Sequence, residues 1–236
     1  MRIMTESDRT VIIGRTGGGK TYGGLWMLSL QPIDQFRWII FDWKRDEQIA
    51  RIPYTVPLSL DDDVPADPGL YIVRPNSQDE VRVDEFLTRV WEAGDTGLFI
   101  DEGMFLKGSI AFRNIMFQGR SKRIPCITLT QLPVQLPRPV FTEATFIQVF
   151  YVVDRRYQKI IEEFTPLTDD DIETLGKKRY YSWYYDAIEH DVTLLKPAPS
   201  IESTMARFEE MLRPPDDING ESQENSQKEK FVRRPL

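Results

Sequence analysis

Residues Gly14-Arg15-Thr16-Gly17-Gly18-Gly19-Lys20-Thr21 decide the fold, because they complete the pattern G-x-x-x-x-G-K-[ST] directly after the apolar run Val11-Ile12-Ile13. Glycines let several backbone N–H groups of such a loop face one anion, and the following helix turns its positive N-terminus toward that anion. Lys20 is then placed for the β- and γ-phosphates of a nucleotide, and the Thr21 hydroxyl for Mg²⁺. The motif predicts a phosphate-binding loop between a strand and a helix over Tyr22 to Leu30, with a structural Gly-rich turn as the alternative.

The composition indicates one α/β domain with a full core. A chain of 236 residues is too short for two large domains. The net charge of -7 argues against a protein whose whole surface coats nucleic acid, although a local basic patch remains open. The single cysteine, Cys126, excludes an internal disulfide, and the single histidine, His190, leaves no material for a Cys/His zinc site.

The hydropathy pattern predicts no membrane segment. No stretch reaches about 18 apolar residues, and no basic segment followed by an apolar one opens the chain. We therefore expect a soluble, cytoplasmic protein without a membrane anchor of its own.

Short apolar runs rich in β-branched and aromatic residues predict strands that are buried on both faces, as in a parallel sheet. Helical spacing predicts helices between them. The alternation indicates an α/β fold of the P-loop NTPase type, with a doubly wound, mainly parallel central sheet flanked by helices. The predicted strands are 10–13, 37–41, 70–73, 97–100, 126–130 and 146–153, and the predicted helices are 83–93, 110–119 and 156–164.

The pattern changes after residue 177. Residues 179–186 and 191–195 predict a β-hairpin appended to the sheet, and a helix is predicted around 203–212. The polar sequence from Pro214 onward has almost nothing to bury, which predicts disorder. We therefore divide the chain into a main domain at 1–197 that includes the hairpin, a helical segment at 198–213 and a flexible tail at 214–236.

Two adjacent carboxylates end the apolar run Gly97-Leu98-Phe99-Ile100-Asp101-Glu102. A nucleotide hydrolase uses such a strand end to place one carboxylate beside its metal ion and the next beside the attacking water. We assign Asp101 to Mg²⁺ and Glu102 to the water that attacks the γ-phosphate. A solvated strand end is the alternative.

The strand predicted at 126–130 brings Thr130 and Gln131 to the same edge of the sheet. We expect Gln131 to sense the γ-phosphate, with an ordinary polar cap as the alternative. The turn Gly119-Arg120-Ser121-Lys122-Arg123 precedes this strand. A solvated turn is the default for such a cluster, and an arginine that completes the γ-phosphate site of a neighbouring subunit is the sharper hypothesis.

Four blocks in this order resemble the FtsK/HerA branch of P-loop ATPases, which are RecA/ASCE-like in fold, and within it the small, single-domain genome-packaging ATPases of viruses. The second block carries an Asp-x-Lys signature, Asp42 and Lys44, whose role is open between the site and a strand-end salt bridge. The DNA-reading and nuclease domains of larger relatives are not visible, which favours packaging. The blocks are 14–21, 38–44, 99–102, and Arg120 through 130–133.

The resemblance implies a pentameric or hexameric ring that moves double-stranded DNA through its centre while ATP is hydrolysed between subunits, packaging a viral genome into a preformed capsid. It assigns ATP to residues 14–21 with Lys20 and Thr21 on the phosphates, Mg²⁺ to Thr21 and Asp101, the water to Glu102, γ-phosphate sensing to Gln131, and the trans arginine to Arg120 or, in second place, Arg123.

Such a motor also needs a partner on the capsid, a portal or vertex protein, and would be found in the host cytoplasm or with the virion. The segment Lys228 to Leu236 could provide this contact on a flexible tether, with a merely solvated end as the alternative.

Other functions share parts of this pattern. An extrusion or secretion ATPase, like the Zot-like ATPases of filamentous-phage assembly, has the same fold but usually carries a transmembrane helix. A small-molecule P-loop kinase transfers phosphate to an acceptor and does not need the pair Asp101 and Glu102. A nucleotide-dependent switch would keep the site and hydrolyse little.

Several reactive or aromatic residues are given structural roles. We expect His190 at the surface of the hairpin turn and Cys126 as a buried small hydrophobe. We expect the aromatic residues of the hairpin to pack against the sheet, while stacking on single-stranded nucleic acid beside residues 177–179 is the alternative. These aromatic residues are Tyr180, Tyr181, Trp183, Tyr184 and Tyr185.

Overall fold

The structure is a computed structural model that describes residues 2–214. Apart from Pro214, the predicted tail at 214–236 lies outside these residues, and so does the segment Lys228 to Leu236. Within residues 2–214, no helix has the length and apolar character needed to cross a membrane.

The described part of the chain contains nine strands and eight α-helices, which alternate from β1 to β7 except that β4 follows β3 directly. The strands are β1 Arg9–Ile13, β2 Arg37–Asp42, β3 Val56–Pro57, β4 Gly69–Val73, β5 Thr96–Asp101, β6 Cys126–Thr130, β7 Phe146–Phe150, β8 Ser182–Asp186 and β9 Asp191–Leu195. The helices are α1 Lys20–Leu28, α2 Glu47–Ala50, α3 Glu80–Ala93, α4 Ile110–Gln118, α5 Arg138–Thr142, α6 Arg155–Phe164, α7 Asp169–Leu175 and α8 Ile201–Leu212.

All nine strands form one sheet in the order β3-β4-β2-β5-β6-β1-β7-β8-β9. The first seven strands in this order are parallel, and β8 and β9 are antiparallel additions beside β7. Because parallel strands end at the same edge, the loops after β1, β2, β5 and β6 meet there. The predicted α/β fold with its mainly parallel sheet is confirmed.

Helices cover both faces of the sheet. Residues of α1, α2 and α8 pack with one apolar cluster, and residues of α3 to α7 pack with the other. The central strands need no polar face for this reason, and β1, β5 and β6 are buried along their whole length. Close packing is clearest at Gly97, where an added Cβ would lie 2.2 Å from the indole ring of buried Trp38.

The six predicted main strands are present, and five of them agree with the predicted bounds to within one residue at each end. Strand β7 ends at Phe150 rather than Val153, because the chain turns there into α6, whose N-cap Asp154 accepts a hydrogen bond from the backbone N–H of Arg156. The helix after the phosphate loop begins at Lys20, two residues before the predicted start. Four short elements, β3, α2, α5 and α7, were not predicted.

The predicted hairpin is present and extends the sheet itself. Its first strand begins at Ser182 rather than Arg179, because Tyr180 adopts a left-handed backbone conformation with φ of 66°. Tyr184 and Tyr185 are buried, and Tyr184 stacks on Phe146 of β7 at 5.1 Å between ring centroids. Packing against the sheet is therefore confirmed for these two rings, whereas Tyr180 lies outside the strand and is 40% exposed.

A candidate nucleotide site at the carboxyl edge of the sheet

The phosphate-loop sequence forms the connection between β1 and α1. Gly17 and Gly19 have φ values of 71° and 104°, which side chains with a Cβ rarely adopt. An added Cβ on Gly14 would lie 2.7 Å from Cβ of Phe150, so the loop lies directly against β7. Because Gly19 precedes α1, no side chain caps this helix, and its first N–H groups are available to an anion.

Lys20 lies under the loop, only 7% exposed, and its ammonium group donates to the Arg15 carbonyl at 3.1 Å. Burial lowers the pKa of Lys20, while the nearby carboxylates of Glu102 and Asp101 act in the opposite direction. Thr21 is half-buried in the first turn of α1. The loop therefore presents a cation, a hydroxyl and a helix N-terminus at one point, which suits a polyphosphate.

Asp101 ends β5, Glu102 follows it, and both are buried. Burial, followed by the charge of Glu102, raises the pKa of Asp101 to about 7. Oδ2 of Asp101 and Oε2 of Glu102 are buried, and neither has a hydrogen-bond partner within residues 2–214. Buried carboxylate oxygens are normally satisfied, so this pair fits a metal ion and a water as ligands.

Lys44 makes an ion pair with Oε1 of Glu102, at the end of the neighbouring strand β2. The register explains this contact, since Asp42 of β2 lies opposite Asp101 of β5. Asp42 itself pairs with Arg74 at 3.1 Å. The Asp-x-Lys signature thus forms strand-end salt bridges, and one of them holds the candidate catalytic carboxylate, a contact that the sequence did not predict.

Gln131 follows β6 and contacts the phosphate loop directly. Its side-chain oxygen accepts a hydrogen bond from the Thr16 hydroxyl. The backbone joins the same two segments, because the N–H of Gly14 donates to the Thr130 carbonyl at 3.2 Å. The Thr130 hydroxyl caps the next turn by accepting from the Leu132 N–H. Gln131 can therefore couple the loop to whatever follows β6.

Arg120 and Arg123 precede β6 and lie at the amino edge of the sheet, opposite the phosphate loop. Arg123 is engaged by Asp95 at 2.5 Å and by Glu6 at 3.5 Å. Arg120 is exposed and makes no ion pair with any described residue. Neither arginine reaches the phosphate loop of its own chain, so a role at a γ-phosphate requires a second copy.

A cavity of about 550 Å³ adjoins the loop and the start of α1, and Asp46 and Gln48, which follow β2, line one end of it. It extends from Thr21 and Tyr22 to Tyr180 and the connection between β9 and α8. No local sequence pattern predicts this wall, because residues 197–200 are distant from the loop in the chain.

The two residues given structural roles lie where they were expected. Cys126 is completely buried, and burial raises the pKa of its thiol to about 11. His190 is exposed in the hairpin turn. Within the described chain, no group of three or more His, Cys, Asp or Glu side chains could hold a metal ion by itself.

No protein-family model matches the chain. A curated relative does: the DNA packaging ATPase P9 of Enterobacteria phage PRD1 is 32% identical over 220 residues, covering 89% of this chain and 95% of the relative.

Solved structures show the same fold. The genome packaging NTPase B204 from Sulfolobus turreted icosahedral virus 2, in complex with ATP-gammaS, gives a TM-score of 0.66 at 20% identity and covers 83% of this chain and 100% of its own. VirB4 of Thermoanaerobacter pseudethanolicus gives a TM-score of 0.65 at 11% identity, over 84% of this chain and 91% of its own.

Proposed function

Because the chain belongs to the family of packaging ATPases that includes P9 of phage PRD1, and is an ATPase, we propose that it packages viral DNA at the expense of ATP. One observation carries the proposal beyond the family name. A phosphate loop, Gln131 and two buried carboxylate oxygens that have no partner within residues 2–214 meet at one edge of the sheet. These are the parts that phosphoryl transfer to water requires.

In this proposal the loop N–H groups and Lys20 hold the β- and γ-phosphates of ATP. The buried Lys20 ammonium leaves the Arg15 carbonyl for the phosphate oxygens, which carry a full negative charge. Its low exposure strengthens the attraction, because the site excludes water.

The Thr21 hydroxyl and Asp101 would hold Mg²⁺. When bound, the ion supplies neutralisation of the charge that builds up on the phosphate oxygens. The raised pKa of Asp101 supports this assignment, because it reflects a buried carboxylate beside a second one, whose effect the charge of Lys44 only partly opposes. Its Oδ2, which has no partner within the described residues, supports it as well.

Glu102 would orient the attacking water and accept its proton. Oε1 is held by Lys44, which leaves Oε2 for the water. Gln131 would report the γ-phosphate through Thr16, since the two side chains already share a hydrogen bond across the loop.

The assembly is the second part of the proposal. We infer a homo-oligomeric ring, pentameric or hexameric, in which Arg120 of one subunit enters the γ-phosphate site of the next. The exposure of Arg120 and the ion pairs of Arg123 support this order of candidates. Double-stranded DNA would pass through the ring, and a portal or vertex protein would hold it on the capsid.

The test is steady-state ATP hydrolysis at low salt with and without long double-stranded DNA, since phosphate contacts weaken as salt rises. Glu102→Gln provides the blank. Hydrolysis that DNA stimulates and that disappears in the variant would support a translocating motor. Hydrolysis indifferent to DNA, measured on protein shown by light scattering to be a ring, would contradict it.

A further inference from the structure

The cavity beside the phosphate loop crosses the start of α1, with Asp46 and Gln48 at one end and Tyr180 with the connection between β9 and α8 at the other. The end at Tyr180 lies away from the proposed catalytic carboxylates. Sheet order explains the direction, because β6 and β5 lie on one side of β1, while β7, β8 and β9 lie on the other. Glu102 and Gln131 belong to the first side. A nucleotide whose γ-phosphate points toward them can place its nucleoside in the part of the cavity on the second side.

The second side offers the surface that a nucleoside needs. The ring of Tyr180 lies so close to the loop that an added Cβ on Gly19 would approach it to 3.3 Å, and Phe150 would be 3.2 Å away. Pro197 and Pro199 line the opposite part of the cavity and carry no N–H groups. Aromatic and proline surfaces favour a flat, aromatic ligand.

A second cavity of about 170 Å³ continues this cleft and shares Phe150, Pro197 and Pro199 with the first. Gln148, which is 5% exposed, lines it. Its Nε2 donates to the Ser182 hydroxyl at 2.9 Å, whereas its buried Oε1 has no partner among the described residues. An exocyclic amino group, such as that of adenine, is the chemistry that would satisfy this oxygen.

Residues 196–200, here called the strap, connect β9 to α8 across the cleft. The strap is fixed at its far end, because Ser200 caps α8 and Phe208 of this helix is completely buried. Arg207 adds a hydrogen bond from α8 to the Ser29 carbonyl just after α1, at 3.3 Å. The strap is therefore held against the helix that follows the phosphate loop, which makes it a preformed wall.

We propose that Tyr180 and the strap form the adenosine half of the nucleotide site, with the base between the Tyr180 ring and the prolines. The proposal rests on the ATPase function given above and adds the residues that bind the nucleoside. The C-terminal hairpin and α8 thereby become parts of the site.

Calorimetric titration with ADP and with pyrophosphate tests this, because only ADP carries the nucleoside. Tyr180→Ala removes a stacking surface, and Ala198→Trp fills the cleft from the strap. Both variants should bind ADP about tenfold more weakly and bind pyrophosphate as the wild type does. Tyr180→Phe is the matched control and should keep the affinity for ADP, since its ring remains.

Equal losses for ADP and pyrophosphate would mean that Tyr180 merely supports the phosphate loop, and an unchanged affinity for ADP in both variants would place the base elsewhere. Either result overturns the proposal. If the wild type bound neither ligand, the proposed ATPase function would fail instead. Thermal melting of each variant shows whether the fold is retained.

Discussion

Strands β2 and β5 carry polar groups at both ends, and the two ends differ in how fully these groups are hydrogen-bonded. At the amino edge, Arg37 donates to the Thr96 hydroxyl at 2.7 Å and to the carbonyls of Pro65 and Gly94 at 2.6 and 2.7 Å. At the carboxyl edge, the buried oxygens Oδ2 of Asp101 and Oε2 of Glu102 have no partner in the described chain.

The difference distinguishes polar groups that stabilise the fold from polar groups that are suited to bind a ligand. A buried hydrogen bond contributes about 1 kcal/mol, and a buried polar group without a partner costs about 1–3 kcal/mol. The polar groups at the amino edge therefore stabilise the sheet. Those at the carboxyl edge lower the stability of the nucleotide-free protein, and binding of a nucleotide with its metal ion would remove that cost. Substitutions at the amino edge should therefore lower stability and leave nucleotide binding unchanged, whereas substitutions at the carboxyl edge should impair ATP hydrolysis without lowering stability.

The largest expected effect is at the carboxyl edge. Glu102→Gln should lower the turnover of ATP by about 10³-fold, because the amide cannot accept the proton of the attacking water. Affinity for ATP should persist, since the phosphates bind the loop. Single-turnover kinetics with a binding titration measure both quantities. Glu92→Gln, an exposed change on α3, is the control, and a loss of affinity as large as the loss of turnover would contradict the assignment.

The next prediction is an exception to the comparison, because it assigns a residue of the amino edge an effect on ATP hydrolysis. Arg120→Ala should lower turnover in the assembled ring by about 10²-fold through loss of charge stabilisation at the neighbouring site. Mixing Arg120→Ala subunits with Glu102→Gln subunits should restore part of the activity, since each supplies what the other lacks.

No recovery in the mixture, with ring assembly verified, would remove Arg120 from the site. Arg123→Ala, tested in the same mixture, then decides whether the second candidate takes the role. Its ion pairs with Asp95 and Glu6 predict a smaller effect on turnover than that of Arg120.

A stability measurement tests the structural role of the amino edge. Arg37→Ala should lower the free energy of unfolding by about 2 kcal/mol, because the Thr96 hydroxyl and the Pro65 carbonyl lose the donor that Arg37 supplies. The Gly94 carbonyl keeps the hydrogen bond that the Thr96 hydroxyl donates to it. Affinity for ADP should not change. Urea unfolding measures the first quantity, and exposed Arg113→Ala should stay within about 0.5 kcal/mol of the wild type. A selective loss of ADP affinity would show that the edges are coupled.

The smallest expected effect is an increase in stability, on replacing Asp101. Above a pKa of about 7, folding buries a charged Asp101, so its contribution to stability is present at low pH and lost as pH rises through 7. Asp101→Asn should stabilise the nucleotide-free protein by roughly 1 kcal/mol at pH 8 and less at pH 5. Thermal melting with exposed Asp63→Asn as control checks this, and destabilisation at pH 8 would contradict it.

Local patterns predicted most of the fold and the centre of the site. The phosphate loop and the pair Asp101 and Glu102 are encoded by adjacent residues, and Gln131 followed from the rule that parallel strands end at one edge. Helices α2 and α5, of four and five residues, were missed because they are too short to repeat a helical period.

The contacts that sequence could not predict join distant segments. Lys44 meets Glu102 only through the register of β2 on β5, 58 residues apart in the chain. Tyr180 reaches the phosphate loop only because the hairpin extends the sheet beside β7. Its left-handed backbone also interrupted a run of aromatic residues that otherwise indicated strand.

Trp43 gives the catalytic edge a built-in optical signal. Its indole stacks between Phe41 of β2 and Phe105, with ring centroids 5.4 Å from each. It precedes Lys44, and Phe105 lies in the turn that follows Glu102, so the stack spans both partners of the Lys44–Glu102 ion pair. Any rearrangement of that pair on nucleotide binding would change the surroundings of this indole. The chain has five tryptophans, so the part of the intrinsic fluorescence change that Trp43→Phe removes would follow the state of the catalytic carboxylate without a label.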